Sequence, residues 1–240
     1  MARIGVGATD MGKVRNNNED SIAVYNKKMG VLPNLYIVAD GMGGHNAGEV
    51  ASRRAIDFFV EFIINRIDLS PINIMEQGVQ YANDNVYQMS ITKSGYLGMG
   101  TTFTACTIID GCMYYAHVGD SRMYLVDKIE MKQISEDHTY INEMLKTGSI
   151  TKEESLVHPK RNMLTRALGT EEYIVVDTGI VTNIKDFTVL MCSDGLTGLV
   201  SDEEIYKLML KEMNSEDKAR KLIELANENG GTDNVSVIIL

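Results

Sequence analysis

The chain has 240 residues, 44% of them hydrophobic, enough to bury a substantial core as a single domain over 1–240. Its 33 acidic side chains against 23 basic ones, a formal net charge of -10, argue against a nucleic-acid backbone or an anionic membrane as the main partner. The start MARIGVGATD has no basic segment followed by an apolar stretch, and no run approaches the roughly 18 apolar residues that span a bilayer. Cys106, Cys112 and Cys192 lie in apolar runs and form no CxxC pair. The expectation is a soluble, cytoplasmic monomer with buried reduced thiols and no disulfide.

In chain order, strands are expected at Ile4–Ala8, Ser21–Tyr25 and Leu35–Ala39, the last running into Asp40. A helix then begins near Glu49, with Ala51, Ala55, Phe58 and Phe62 at helical spacing. Asn73 and Glu76 have the spacing of a capping box, and Met75, Val79, Ala82, Val86 and Met89 continue a second helix. Thr101–Ile109 and Cys112–Val118 read as a hairpin closed by Asp110-Gly111, and Arg122–Val126 and Ile129–Ile134 continue the meander. Later strands fit Ile174–Gly179, Phe187–Cys192 and Val235–Leu240. Between the last two lie a helix opened by Ser201-x-x-Glu204 and another carrying Ala219, Leu222, Ile223 and Ala226, stopped at Gly230-Gly231. Helices and strands come in blocks, which favours an α+β fold of packed antiparallel sheets flanked by helices over a doubly wound parallel sheet. From about Ser135 to Glu172 the pattern changes to short helical pieces and polar connections, read as a flap insertion close to an active site.

Four aspartates share a local grammar: Asp40 in LYIVADGMGG, Asp120 in AHVGDSR, Asp194 in TVLMCSDGL and Asp233 in GGTDNV. Each alone is compatible with a turn-marking aspartate beside glycine. Together, carboxylates gathered at strand ends repel one another unless cations neutralise them. An all-oxygen donor set with no matching histidine or cysteine cluster favours Mg2+ or Mn2+ over zinc. Thr9–Ser21 adds Arg15, then Glu19 and Asp20: a guanidinium shaped to grip phosphate, with carboxylates close behind it. Read alone, that segment is more simply an exposed polar loop; alongside Asp40, Asp120, Asp194 and Asp233 the phosphate-and-metal reading prevails.

These residues resemble the metal-dependent protein phosphatases of type 2C, the PPM family, in its compact bacterial form. The resemblance rests on Arg15 with Glu19-Asp20, Asp40-Gly41-Met42-Gly43-Gly44, Gly100-Thr101-Thr102, Gly119-Asp120-Ser121-Arg122, Ser193-Asp194-Gly195 and Gly231-Thr232-Asp233-Asn234, in family order over nearly the whole chain. It implies two antiparallel sheets packed as a sandwich with helices outside, and hydrolysis of phosphoserine and phosphothreonine in proteins. By the same resemblance, Asp40 bridges two metals, Asp194 and Asp233 complete the first site, and the Gly41 carbonyl joins the second with Glu19 and Asp20, directly or through water. Asp120 with Asp194 forms a weaker third site, and Arg15 holds the substrate phosphate. Two divalent cations ~3.5–4 Å apart lower the pKa of a shared water for in-line attack on phosphorus. The implied partners are phosphorylated proteins and an opposing membrane-anchored serine/threonine kinase.

Animal relatives carry histidine where this chain has Met42, so the proton donor for the leaving alcohol differs; His45 and a metal-bound water are the substitutes. No cysteine is followed six positions later by arginine, as a cysteine-based phosphatase requires. The competing classes are a catalytically silent regulatory module of the same fold and a two-metal nuclease, the latter disfavoured by the acidic balance.

Overall fold

The computed structural model describes residues 3–43, 47–66 and 69–240. Gly44 and His45 lie outside the described residues. In chain order the strands are β1 (Val6–Asp10), β2 (Asp20–Tyr25), β3 (Leu35–Met42), β4 (Gly100–Thr101), β5 (Phe103–Ile109), β6 (Cys112–Val118), β7 (Arg122–Val126), β8 (Met131–Gln133), β9 (Asp177–Val181), β10 (Thr188–Cys192) and β11 (Val235–Ile239). The helices are α1 (Ala47–Ile64), α2 (Pro71–Thr92), α3 (Tyr140–Lys146), α4 (Lys152–Val157), α5 (Asp194–Thr197), α6 (Asp202–Met209) and α7 (Ser215–Glu228).

One sheet runs β1-β11-β10-β7-β8 and the other β2-β3-β5-β6-β9, with β4 added against β3. Neighbours in both sheets are antiparallel. Alternation along each strand divides the core into layers. In β3, Leu35, Ile37 and Ala39 pack toward α1 and α2, while Tyr36 and Val38 pack between the sheets. In β10, Leu190 and Cys192 face α6 and α7, while Val189 and Met191 meet Tyr36 and Val38 in the middle. The result is the expected helix-sheet-sheet-helix sandwich. Because β3 and β10 are buried on both faces, they read in sequence as unbroken apolar runs. The flap leaves the sheets after β8 and carries α3 and α4 before the chain returns at β9.

Several boundaries differ from the sequence reading. β1 starts at Val6 because it pairs residue for residue with β11 through Asp10, leaving Ile4 exposed. β8 is shorter than Ile129–Ile134, and Ile129 is exposed. β9 begins at Asp177, with Ile174 buried ahead of it against the α1–α2 layer. The Asn73/Glu76 box does not open α2; Ser70 does, accepting from the Asn73 N–H with Pro71 at the first helical position. The Ser201/Glu204 box of α6 forms in both directions, and Asp110 and Gly111 take the positive φ values (49° and 79°) of a tight hairpin turn. Cys106 and Cys192 are buried free thiols pushed up to about 12 by burial, whereas Cys112 is only half-buried. Among the described residues, no helix is long and apolar enough to cross a membrane.

Candidate metal centre and active site

Four segments deliver the four aspartates to one cleft: the end of β3, the turn after β6, the start of α5 and the turn before β11. Asp20 and Asp40 lie directly opposite each other in the β2–β3 ladder, so their side chains leave the same face of the sheet. The Asp40 backbone is fixed by a spur of three hydrogen bonds: its N–H donates to Thr102 Oγ1 at 2.8 Å, and its carbonyl accepts from the Thr102 N–H at 2.8 Å and from Thr101 Oγ1 at 2.9 Å. At Gly41 no side chain fits, since a Cβ would lie 2.1 Å from Gly48 O and 2.5 Å from Glu19 O. That close approach brings the start of α1 down onto the β2–β3 ladder beside Glu19.

Asp120 follows β6 in a turn whose Gly119 has φ +108°, with Thr102 where a Cβ would stand. Asp194 is the first residue of α5, and Gly195 behind it touches the Asn234 carbonyl so closely that a Cβ would sit 1.8 Å away. Asp233 precedes β11. Its neighbour Asn234 ties three segments together: Nδ2 donates to Met11 O at 2.9 Å and Asn17 O at 2.8 Å, and Oδ1 accepts from the Glu19 N–H at 2.8 Å.

A cleft of about 500 Å³ opens between these loops and the flap. Arg15, Glu19, Asp40, the Gly41 backbone, Asp120, Asp194 and Asp233 all line it. The structure thus brings together every site residue expected from the sequence except Asp20, which lies beneath the floor, 7% exposed. Asp20 Oδ2 accepts from Ser193 Oγ at 2.7 Å, and its buried Oδ1 has no hydrogen-bond partner. Arg15 sits at the rim, half exposed, and pairs with Asp233 at 2.9 Å.

The electrostatics follow from this crowding. Asp40 is held well above the usual carboxylate range by burial and then by Asp20, Asp194 and Asp120, and its carboxyl faces that of Asp194 within hydrogen-bonding reach. Asp120 is pushed up to about 8 by burial and Asp194. Asp20 is pushed up to about 6, burial outweighing its hydroxyl hydrogen bonds. Glu19 and Asp194 are raised as well, each chiefly by burial. Among the described residues no three His, Cys, Asp or Glu side chains converge into one closed ligand group. The donor set nevertheless fits divalent cations: hard oxygen ligands, mutual repulsion only partly offset by Arg15 at the rim and Arg122 behind Asp120, and an orphaned carboxylate oxygen on Asp20.

Sequence reasoning missed the supporting groups. Ser193 holds Asp20, Thr102 holds the Asp40 backbone, and Asn162, Met163 and Leu164 of the flap close one wall of the cleft. Ser193 and Thr102 sit inside the quoted motifs, but their partners are distant in sequence. Met42 lines the cleft and offers no proton. His117 packs inside its strand, bonded to Thr104 Oγ1 at 2.8 Å and Glu136 O at 2.9 Å. Arg122, through Asp137, and Asn234, through the Met11, Asn17 and Glu19 segments, brace the turns that carry Asp120 and Asp233.

A family model for protein phosphatase 2C matches residues 12–228. The chain belongs to the protein phosphatase 2C family. It is 37% identical over 236 residues to serine/threonine phosphatase stp of Listeria monocytogenes serotype 4b, covering 97% of this chain and 93% of that one. It is 36% identical over 237 residues to protein phosphatase PhpP of Streptococcus pneumoniae serotype 2, covering 97% and 94%. Among solved structures, serine/threonine phosphatase Stp1 of Staphylococcus aureus superposes with a TM-score of 0.90 at 34% identity, covering 98% of this phosphatase and 93% of that chain. The catalytic domain of PstP in complex with 2 manganese ions superposes with a TM-score of 0.84 at 33% identity, covering 98% and 96%.

Proposed function

We propose that this metal-dependent serine/threonine phosphatase hydrolyses phosphoserine and phosphothreonine in proteins at the cleft between the aspartate loops and the flap. The observation that supports it most is the gathering of Asp40, Asp120, Asp194 and Asp233 around one cleft with Arg15 at its rim. Asp40, Asp194 and Asp233 would hold one Mn2+ or Mg2+; Asp40, the Gly41 carbonyl, Glu19 and Asp20 would hold a second; Asp120 with Asp194 would hold a weaker third. When bound, such ions supply Lewis acidity at the phosphoryl oxygens and a shared water of lowered pKa as nucleophile.

The chain's own residues do the rest. Arg15 exchanges its contact with Asp233 for the substrate phosphate, which its planar donors match two at a time. The Asn234 and Thr102 bonds keep the Asp233 and Asp40 backbones fixed as charge changes in the site. The open cleft suits a phosphorylated side chain presented by a protein segment, with Asn162–Leu164 of the flap against it. Residues 1–240 then form one domain with its flap at about 135–172, acting as a cytoplasmic monomer that reverses the work of a membrane-anchored serine/threonine kinase.

Asp40→Asn and Asp194→Ala test the reading. Each should remove turnover of a phosphothreonine peptide while circular dichroism shows a folded chain, and a folded variant with near-normal rates would take that residue out of the site.

A further inference from the structure

The turn that carries Asp120 is gripped at both ends by two consecutive residues at the entrance of the flap. At its first residue, the Gly119 N–H donates to Nδ1 of His138 at 3.0 Å, and Gly119 O accepts from the His138 N–H at 2.8 Å. At its last residue, the Arg122 guanidinium forks onto Asp137, with Nε 2.9 and 3.0 Å from the two carboxylate oxygens and Nη2 2.6 Å from Oδ2. Gln133 Nε2 donates to the same carboxylate at 2.8 Å, which fixes Asp137 in turn.

Because Nδ1 of His138 accepts, the ring proton belongs on Nε2, and Nε2 stands 3.1 Å from Asp177 Oδ2. The other oxygen of Asp177 accepts from Arg166 Nη1 at 2.7 Å. The imidazole therefore links the Asp120 turn to the far end of the flap, where Arg166 leaves it. It is 2% exposed and lies against the His117 ring at 4.8 Å between centroids, so its orientation is set by packing. Gly119 has a backbone that a side-chain-bearing residue rarely adopts, so the path of the turn is set by this glycine and by the hydrogen bonds it makes.

We propose that His138 and Asp137 are positioning residues for Asp120: His138 acts through Gly119 and Asp137 through Arg122 to aim the Asp120 carboxylate into the cleft. The proposal rests on the reading of Asp120 as ligand to a weaker third cation. An ion with few protein ligands depends strongly on how each is aimed, and losing the groups behind a ligand typically weakens binding ten- to a hundred-fold. The competing account is that the two residues only anchor the flap.

Two substitutions of His138 separate these accounts. In His138→Asn, the amide oxygen stands where Nδ1 stood and can accept from Gly119, but the side chain is too short to reach Asp177. In His138→Gln, the longer amide can reach Asp177 in place of Nε2, and the acceptor for Gly119 is lost. Mn2+ binding to the intact protein is measured by titration calorimetry, alongside melting temperature and kcat and KM on a phosphothreonine peptide.

The proposal expects His138→Gln to weaken the low-affinity Mn2+ step about ten- to a hundred-fold and leave the tight steps in place, with His138→Asn close to the parent protein. Asp137→Asn should shift the same step in the same direction, and it serves as the second probe should His138→Gln fail to fold. If the two His138 variants bind the weak ion alike and differ only in melting temperature, the flap-anchor account holds and the proposal falls. If Asp120→Asn leaves the weak step untouched, the third-site reading itself fails and takes the proposal with it.

Discussion

Adding Mn2+ to the metal-free phosphatase should expel protons, and the affinity should climb with pH by an amount the buried carboxylates set. In the metal-free chain Asp20 is pushed from 3.8 up to about 6 and Asp120 up to about 8, burial being the first cause in both. Folded values above unfolded ones mean that the native chain holds more protons than the unfolded chain. These groups therefore support the metal-free fold most below the unfolded value, and that support is lost as pH rises through about 6 and then about 8. For Asp20 the penalty against the unfolded chain is on the order of 1–2 kcal/mol near pH 5 and about 3 kcal/mol near pH 7, at 1.36 kcal/mol per unit. Cation binding requires the ionised form and removes that penalty. Between those two conditions Asp20 alone should tighten the apparent Kd for Mn2+ about tenfold and add roughly 3–6 °C to the Mn2+-induced rise in Tm. Asp120 acts in the same direction up to about pH 8. Calorimetric titrations in two buffers of unlike ionisation enthalpy count the protons, and thermal melts with and without Mn2+ give the second readout. A pH-independent affinity without proton release would refute the reasoning.

Other consequences are more local. His117, buried and lowered to about 4, is neutral in the fold, so stability should fall by about 1.4 kcal/mol per unit as pH drops from about 6.5 toward 4, with or without Mn2+; an identical acid slope in urea melts of His117→Gln would remove it as the cause. Arg15→Ala should raise KM for phosphopeptide and aryl phosphate about ten- to a hundred-fold, the worth of 1.5–3 kcal/mol of charged hydrogen bonding. Its pair with Asp233 is half exposed, so Tm should barely move; unchanged kinetics on both substrates would assign the phosphate to another group. Asn234→Ala removes three hydrogen bonds that join the Met11, Asn17 and Glu19 segments to Asp233, and should lower stability by about 1.5–4.5 kcal/mol in chemical denaturation. A loss under about 0.5 kcal/mol would show that these loops hold without it.

The site was more legible than the element boundaries. Aspartates beside glycine, serine or asparagine are visible in short windows of sequence, and the cleft is lined by all four of them together with Arg15 and Glu19 of the Thr9–Ser21 segment. What the sequence could not show is pairing between distant segments. The facing of Asp20 and Asp40 depends on the β2–β3 register, and the burial of Asp20 under the cleft depends on Ser193, far along the chain. β1 was displaced for the same reason, since its partner is the last strand. α5, at Asp194–Thr197, is too short to show helical periodicity. At α2, the Asn73/Glu76 spacing hid the stronger Ser70-Pro71 start signal immediately before it. The flap was recognisable by its change of pattern, but the grip of Asp137 and His138 on the Asp120 turn is a tertiary contact with no local signature.

The central claim is that this phosphatase depends on cations held by its aspartates, and the most direct test is phosphate release from a phosphothreonine peptide before and after metal removal. Protein stripped of metal with a chelator, then dialysed, should remain folded by circular dichroism and release no phosphate above background. Readdition of Mn2+ should restore the rate. Full turnover by protein shown by metal analysis to carry no divalent ion would contradict the account.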